Sequence, residues 1–176
     1  MKKKTVVTSY VKEHKMLVNL FIAGAVKGGT TWLYDLLNNS PEVYCSNLKE
    51  PQFFNPHYIA RKHMTAISCL KQYENRIANA QNEKYLVDGT ATYLTTPESP
   101  ELIQKYNPNA KIIVMLRDPV LRAFSHYLMD LREGVTTSPF IEEGLSINDK
   151  YIHFSKYLPG LRQYLNCFGE RNVLIL

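Results

Sequence analysis

Lys27-Gly28-Gly29-Thr30-Thr31 is the densest group of residues in this chain able to do chemistry on an anion. It follows the apolar run Leu20-Phe-Ile-Ala-Gly-Ala-Val26 and leads into Trp32-Leu33-Tyr34, the start of a helical pattern. That order reads as a strand, a tight turn and a helix. Gly28 and Gly29 let the backbone turn sharply and approach a ligand closely, while the N–H groups opening the helix attract negative charge. Lys27 adds a mobile cation, and Thr30 and Thr31 add hydroxyl donors. Trp32 either borders a bound base or packs. A Walker phosphate loop requires Gly, four residues, then Gly-Lys-Ser/Thr; here the lysine precedes the glycine pair, which argues against an ordinary kinase or GTPase.

Two later stretches carry complementary chemistry. Lys49-Glu50-Pro51-Gln52-Phe53-Phe54 sets a carboxylate beside a cation, with a proline to fix the backbone. Its two aromatic rings can form an apolar wall that lifts the carboxylate pKa, the setting of a general base. Arg117-Asp118-Pro119-Val120-Leu121-Arg122-Ala123-Phe124-Ser125 places an arginine at the end of a strand and a serine about two helical turns further on, so both can face one anion. The planar fork of arginine suits two-point binding of phosphate. Arg122 either supports that anion or faces solvent. Taken singly, each stretch also fits a plainer role: a solvated lysine in a turn, an exposed Lys49–Glu50 pair, an Arg117–Asp118 surface pair.

In this order the three stretches resemble the sulfotransferases that use 3′-phosphoadenosine-5′-phosphosulfate (PAPS). The resemblance runs from about Phe21 to Leu176, and its motifs match best those of the heparan-type carbohydrate sulfotransferases and their bacterial relatives. It implies a P-loop-NTPase-like α/β fold and transfer of a sulfuryl group from PAPS to a hydroxyl or amine acceptor, a glycan among the candidates. On that resemblance Lys27 stabilises the 5′-phosphate and the bridging oxygen. Gly28, Gly29, Thr30 and Thr31 cradle the same phosphate, Trp32 belongs to the nucleotide site, and Arg117 and Ser125 hold the 3′-phosphate. Glu50 matches the glutamate of the Lys-Glu-Pro-x-Phe-Phe run and is the expected general base, with Lys49 and Phe53 at the acceptor. Small-molecule members of the family use a histidine instead, which keeps His57 and His126 as rivals. Asp88-Gly89-Thr90-Ala91-Thr92-Tyr93 stands where relatives carry Glu-x-Thr-Pro-x-Tyr, and departs from it at the acid and at Ala91. Asp88 and Tyr93, with Lys84, are expected to line the acceptor cleft. This chemistry needs no metal, and His14, His63 and His153 show no ligand spacing. The alternatives are a catalytically silent nucleotide-binding or interaction module, and a nucleotide kinase.

Length and composition frame these readings. At 176 residues the chain suits one domain, spanning 1–176, with a sizeable core. The balance of 21 basic against 16 acidic residues gives a net charge of +5, which suits a polyanionic nucleotide or acidic glycan. No nucleic-acid-binding motif accompanies it, so nucleic acid is not an expected partner. The apolar run from Leu17 to Val26 is too short for a membrane span of ~20 residues, and no signal-peptide core follows the basic start. Cys45, Cys69 and Cys167 are odd in number and widely spaced, as expected of reduced thiols in a cytoplasm.

The elements that must position these groups follow from periodicity and caps. Strands are predicted over 17–25, 43–46, 85–87, 112–116 and 173–176. Helices are predicted over 30–38, with Leu33, Leu36 and Leu37 inward, over 65–80, with Ile67, Leu70, Tyr73 and Ile77 on one face, over 99–106 and over 157–168, stopped by Gly169. A further helix opens with Asp118 as its cap and Pro119 as its first residue. Residues 49–56 read as a proline-bounded loop and 133–149 as a mobile excursion. Strands alternating with helices specify a parallel sheet covered on both faces, with ligands gathered at the carboxyl ends of its strands. The chain stops within what reads as a buried strand, so the C-terminal part of the domain is expected to be missing.

Overall fold

The computed structural model describes residues 17–46, 48–62, 66–138, 140–147 and 149–176. Five strands, β1 (Leu20–Gly24), β2 (Val43–Cys45), β3 (Tyr85–Asp88), β4 (Lys111–Val114) and β5 (Val173–Ile175), form one parallel sheet in the order β2-β3-β1-β4-β5. The helices are α1 (Thr30–Leu37), α2 (Pro56–Arg61), α3 (Ala66–Asn75), α4 (Ser99–Tyr106), α5 (Pro119–Arg132), α6 (Ile141–Ile147), α7 (Lys150–His153) and α8 (Tyr157–Phe168). The expected doubly covered α/β sheet is the architecture found.

β1 occupies the centre because every one of its residues can be buried. Successive side chains of a strand point to opposite faces. Phe21 and Ala23 accordingly enter a core with Phe54, Tyr73, Ile103, Tyr106 and Tyr164, while Leu20 and Ile22 enter a second one with Leu33, Tyr34 and Val87. Helices α3, α4 and α8 cover the first face and α1 covers the second. Asn107 and Tyr106 tie the strand entry together: the Asn107 amide donates to the Val18 carbonyl at 3.0 Å, and the Val18 amide donates to the Tyr106 hydroxyl at 3.1 Å.

Several expectations shift. α1 buries Leu33 and Tyr34 but leaves Leu36 half exposed, because its inward face turns through Thr30, Leu33 and Tyr34. The loop expected over 49–56 is found, and it runs into an unforeseen helix, α2, whose first turn is capped by the Asn55 side chain accepting from the Tyr58 amide. The segment expected to be an excursion, 133–149, carries α6, and α7 follows directly after it. β5 is an edge strand with Leu174 and Ile175 about half exposed, not a buried one. His14, His63 and the side chains of Ile67 and Cys69 lie outside the described residues. Among the described residues no helix is long and apolar enough to cross a membrane.

Candidate active site

The turn after β1 is built by hydrogen bonds to the end of β4. The Ala25 amide donates to the Met115 carbonyl at 2.7 Å and the Met115 amide to the Gly24 carbonyl at 2.8 Å. Gly28 then closes the turn, its N–H donating to the Ala25 carbonyl at 2.8 Å. That amide is therefore engaged within the loop, and Gly28, expected to bind the nucleotide, does not line the cleft. A Cβ on Gly28 would stand 2.6 Å from the Met115 carbonyl oxygen, so only glycine fits there. Gly29, with φ 96°, caps α1 in a left-handed conformation. Lys27 takes a left-handed backbone too, at φ 63°.

Around this turn the carboxyl ends of β1 and β4 open into a cleft of ≈ 720 Å³. A volume of that size lies within the range of small-molecule sites. Lys27, Gly29, Thr30, Thr31, Lys49, Glu50, Arg117 and Ser125 all line it, although they are drawn from three stretches of the sequence. The Lys49 ammonium donates to the hydroxyls of Thr31 (3.0 Å) and Thr30 (3.3 Å) and lies 3.5 Å from a Glu50 carboxylate oxygen. The other Glu50 oxygen accepts from the Gln52 side-chain amide at 3.3 Å. Glu50 and Gln52 both hold φ near 60°. Left-handed conformations at non-glycine residues cost of order 1–3 kcal/mol each and gather at functional sites; here Lys27, Glu50 and Gln52 cluster at one.

The far wall comes from α5 and the segment after it. Asp118 caps α5, its carboxylate accepting from the Leu121 amide at 2.8 Å with Pro119 at the first helical position. This junction puts Arg117 at the mouth, where its guanidinium reaches the Lys27 carbonyl at 3.4 Å, and turns Ser125 and Met129 inward. The Lys27 ammonium rests 3.6 Å from the Met129 sulfur. Arg122 is fully buried, so it neither faces solvent nor lines the cleft. It donates to the Ser155 hydroxyl (2.8 Å), the Tyr151 carbonyl, the Val26 carbonyl (3.5 Å) and His126 Nδ1 (3.2 Å), tying the turn after β1 to the α7–α8 connection. Burial lowers its pKa. The Tyr157 hydroxyl donates to the Arg117 carbonyl at 3.0 Å and braces the same junction.

Of the rival bases, His57 sits outside the cleft, largely exposed and 3.5 Å from Glu98. His126 lines the cleft, but burial drives its pKa down to about 4 and its nitrogens face Arg122 and Asp130. A group that weakly basic, with both nitrogens so placed, is a poor proton acceptor at neutral pH.

Five expected site residues lie elsewhere. Trp32 projects from the outer side of α1 with 64% of its surface exposed, because Thr30, Leu33 and Tyr34 take the inward positions. Phe53 stacks on Tyr73 (4.6 Å between centroids) and packs against the core instead of walling the Glu50 carboxylate. Asp88 and Tyr93 are buried beneath the 50–54 loop, hydrogen-bonded to each other at 3.1 Å. Lys84 is exposed with its ammonium over the Tyr85 ring, away from the cleft. Conversely Thr92, Met129, Lys150 and Phe154 line the cleft unforeseen. Lys150 pairs with Asp130, whose carboxyl also accepts from the Tyr151 hydroxyl at 2.6 Å. Burial would raise the Asp130 pKa, but these two bonds outweigh it and hold the carboxyl below the usual range. Among the described residues no group of His, Cys, Asp and Glu is placed to hold a metal ion.

Residues 18–176 match the family profile described as "Sulfotransferase domain". The heparan sulfate glucosamine 3-O-sulfotransferase 3B1 of Homo sapiens is 32% identical over 175 residues, covering 89% of this chain and 42% of that protein. The membrane-associated sulfotransferase kil1 of Dictyostelium discoideum is 30% identical over 111 residues, covering 63% of this chain and 22% of that protein. The chain thus spans less than half the length of these relatives. A crystal structure of a sulfotransferase from Alicyclobacillus acidocaldarius superimposes with a TM-score of 0.81 at 25% identity, covering 92% of this chain and 73% of that one. On the sequence match and the shared fold together, the chain belongs to the sulfotransferase domain family.

Proposed function

We propose that this cleft binds PAPS and transfers its sulfuryl group to a carbohydrate hydroxyl. The observation that carries the reading is the convergence of Lys27, Thr30, Thr31, Arg117 and Ser125 with one carboxylate, Glu50, in a single cleft at the strand ends. Sulfuryl transfer, like phosphoryl transfer, is catalysed by positioned cations and a proton acceptor. Arg117 and Ser125 hold the 3′-phosphate at the mouth. The Gly29–Thr31 helix start and Lys27 hold the 5′-phosphate, and Lys27 stabilises negative charge on the bridging oxygen as its bond to sulfur breaks. Glu50 takes the proton of the acceptor hydroxyl as the new oxygen–sulfur bond forms, leaving 3′-phosphoadenosine-5′-phosphate (PAP) and a sulfate ester. Lys49, shared between Glu50 and the two threonine hydroxyls, sits where it can neutralise the transferring group. The heparan sulfate relatives support an acidic glycan as acceptor.

The test is transfer of labelled sulfate from PAPS to heparan sulfate. Lys27→Ala and Glu50→Gln should each reduce turnover by roughly 100- to 1000-fold, the loss typical of a removed transition-state partner. Glu50→Gln should bind PAP almost as the unaltered protein does. Retained turnover in Glu50→Gln would remove that residue from the mechanism; PAP binding without any transfer in the unaltered protein would favour a silent binding module.

A further inference from the structure

We propose that Asp88 is a positioning residue for Glu50: its buried carboxylate orients the hydroxyls of Thr90 and Tyr93, which pin the amides of the loop that presents Glu50 to the cleft. The inference rests on the reading of Glu50 as the base. Asp88 ends β3 with 2% of its surface exposed and does not reach the cleft. One of its oxygens accepts from the Thr90 hydroxyl at 2.7 Å, and the other from the Tyr73 and Tyr93 hydroxyls at 3.0 and 3.1 Å. An ionised carboxylate only accepts, so all three hydroxyls must point their hydrogens at it and their lone pairs elsewhere. Two of those lone pairs meet the catalytic loop. The Gln52 amide donates to the Thr90 hydroxyl at 3.4 Å and the Phe54 amide to the Tyr93 hydroxyl at 3.1 Å.

The loop needs such anchoring because Glu50 and Gln52, on either side of Pro51, both hold left-handed backbones that side chains disfavour. Gln52 completes the chain of contacts. Its side-chain carbonyl oxygen accepts from the Thr92 hydroxyl at 2.8 Å and its side-chain amide donates to Glu50 at 3.3 Å, so a loop fixed by Asp88 also fixes the carboxylate. Burial lifts the Asp88 carboxyl to about 6 against the three hydroxyl bonds that lower it, which leaves it ionised at neutral pH. Asparagine at this position keeps the volume but turns one acceptor into a donor, and a hydroxyl on that side loses its orientation.

The experiment is a double-mutant cycle on Asp88→Asn and Glu50→Gln, with heparan sulfate as acceptor and kcat expressed per PAP-binding site. Hydrogen exchange across residues 50–54 is read in parallel. Asp88→Asn should lower kcat by about 10- to 100-fold, the effect of a small misplacement of a catalytic group, with the KM for PAPS little changed. The double variant should lose no more than Glu50→Gln alone, and exchange should quicken in 50–54 beyond the rest of the chain. Tyr93→Phe, which removes only the Phe54 anchor, should move the same readouts less and serves if Asp88→Asn does not fold. Unchanged kcat, multiplying losses in the double variant, or exchange that quickens uniformly would each overturn the inference. Retained turnover in Glu50→Gln would overturn the base reading, and this inference with it.

Discussion

Replacing Gly28 with alanine should strain the phosphate turn and weaken nucleotide binding together. The added Cβ would lie 2.6 Å from the Met115 carbonyl oxygen and 2.9 Å from that of Ala25, both backbone atoms. Neither is free to retreat. The first accepts from the Ala25 amide at 2.7 Å and the second from the Gly28 amide itself at 2.8 Å. Relief requires the turn to shift by roughly half an ångström, a form of overpacking that costs about 1–3 kcal/mol. For a chain of this length that lowers Tm by ~2–12 °C. The same shift moves Lys27 and Gly29, so PAP affinity should fall by about 10- to 100-fold, or ~1.4–2.8 kcal/mol. Gly29→Ala is the contrast: its Cβ meets only the flexible Met115 methyl at 3.4 Å, and its cost is the left-handed backbone, ~1–2 kcal/mol. Thermal unfolding and calorimetric PAP titration of both variants supply the assay. A Gly28→Ala protein with unchanged Tm and unchanged PAP affinity would refute the reasoning.

Asp118→Ala removes the side-chain cap of α5 and should cost about 1 kcal/mol in denaturant unfolding, with a modest further loss of PAP affinity through Arg117. His126 should shape the acid limb of stability. Its folded pKa of about 4 lies below the unfolded value, so the unfolded chain binds more protons between about pH 4 and 6.5; stability present above that window is lost as pH falls through it, and His126→Gln should flatten the slope. Asp88 acts in the opposite sense. Its folded pKa of about 6 lies above the unfolded value, so its contribution is full below about pH 4 and declines as pH rises to about 6; urea unfolding of Asp88→Asn across that range should show a steeper rise of stability with pH.

The strand–turn–helix around Lys27 was legible because an apolar run, a glycine pair and hydroxyl-bearing residues each restrict the backbone in a way that needs no tertiary partner. The Asp118–Pro119 helix start was legible for the same reason. Asp88 and Tyr93 were not: polar residues in a loop read as cleft-lining, and only the sheet order, which sets β3 beside β1 and beneath the 50–54 loop, reveals that they are buried. Trp32 was ambiguous because a helix of eight residues admits more than one inward phase, and Tyr34 decided it by filling the second core. Lys150 and Phe154 were invisible for another reason. They lie in a short segment just after the turn-rich stretch at 133–149, and nothing local signals that α7 folds back on α5 to wall the cleft.

The most direct measurement of the central claim is calorimetric titration of the chain with PAP beside AMP and ATP, repeated on Arg117→Ala. If Arg117 and Ser125 form a 3′-phosphate site, PAP should bind about 10- to 100-fold more tightly than AMP, the ~1.5–3 kcal/mol expected of charged hydrogen bonds. Arg117→Ala should erase most of that preference. Equal affinity for PAP and AMP, a preference for ATP, or a PAP preference that survives loss of Arg117 would contradict the account.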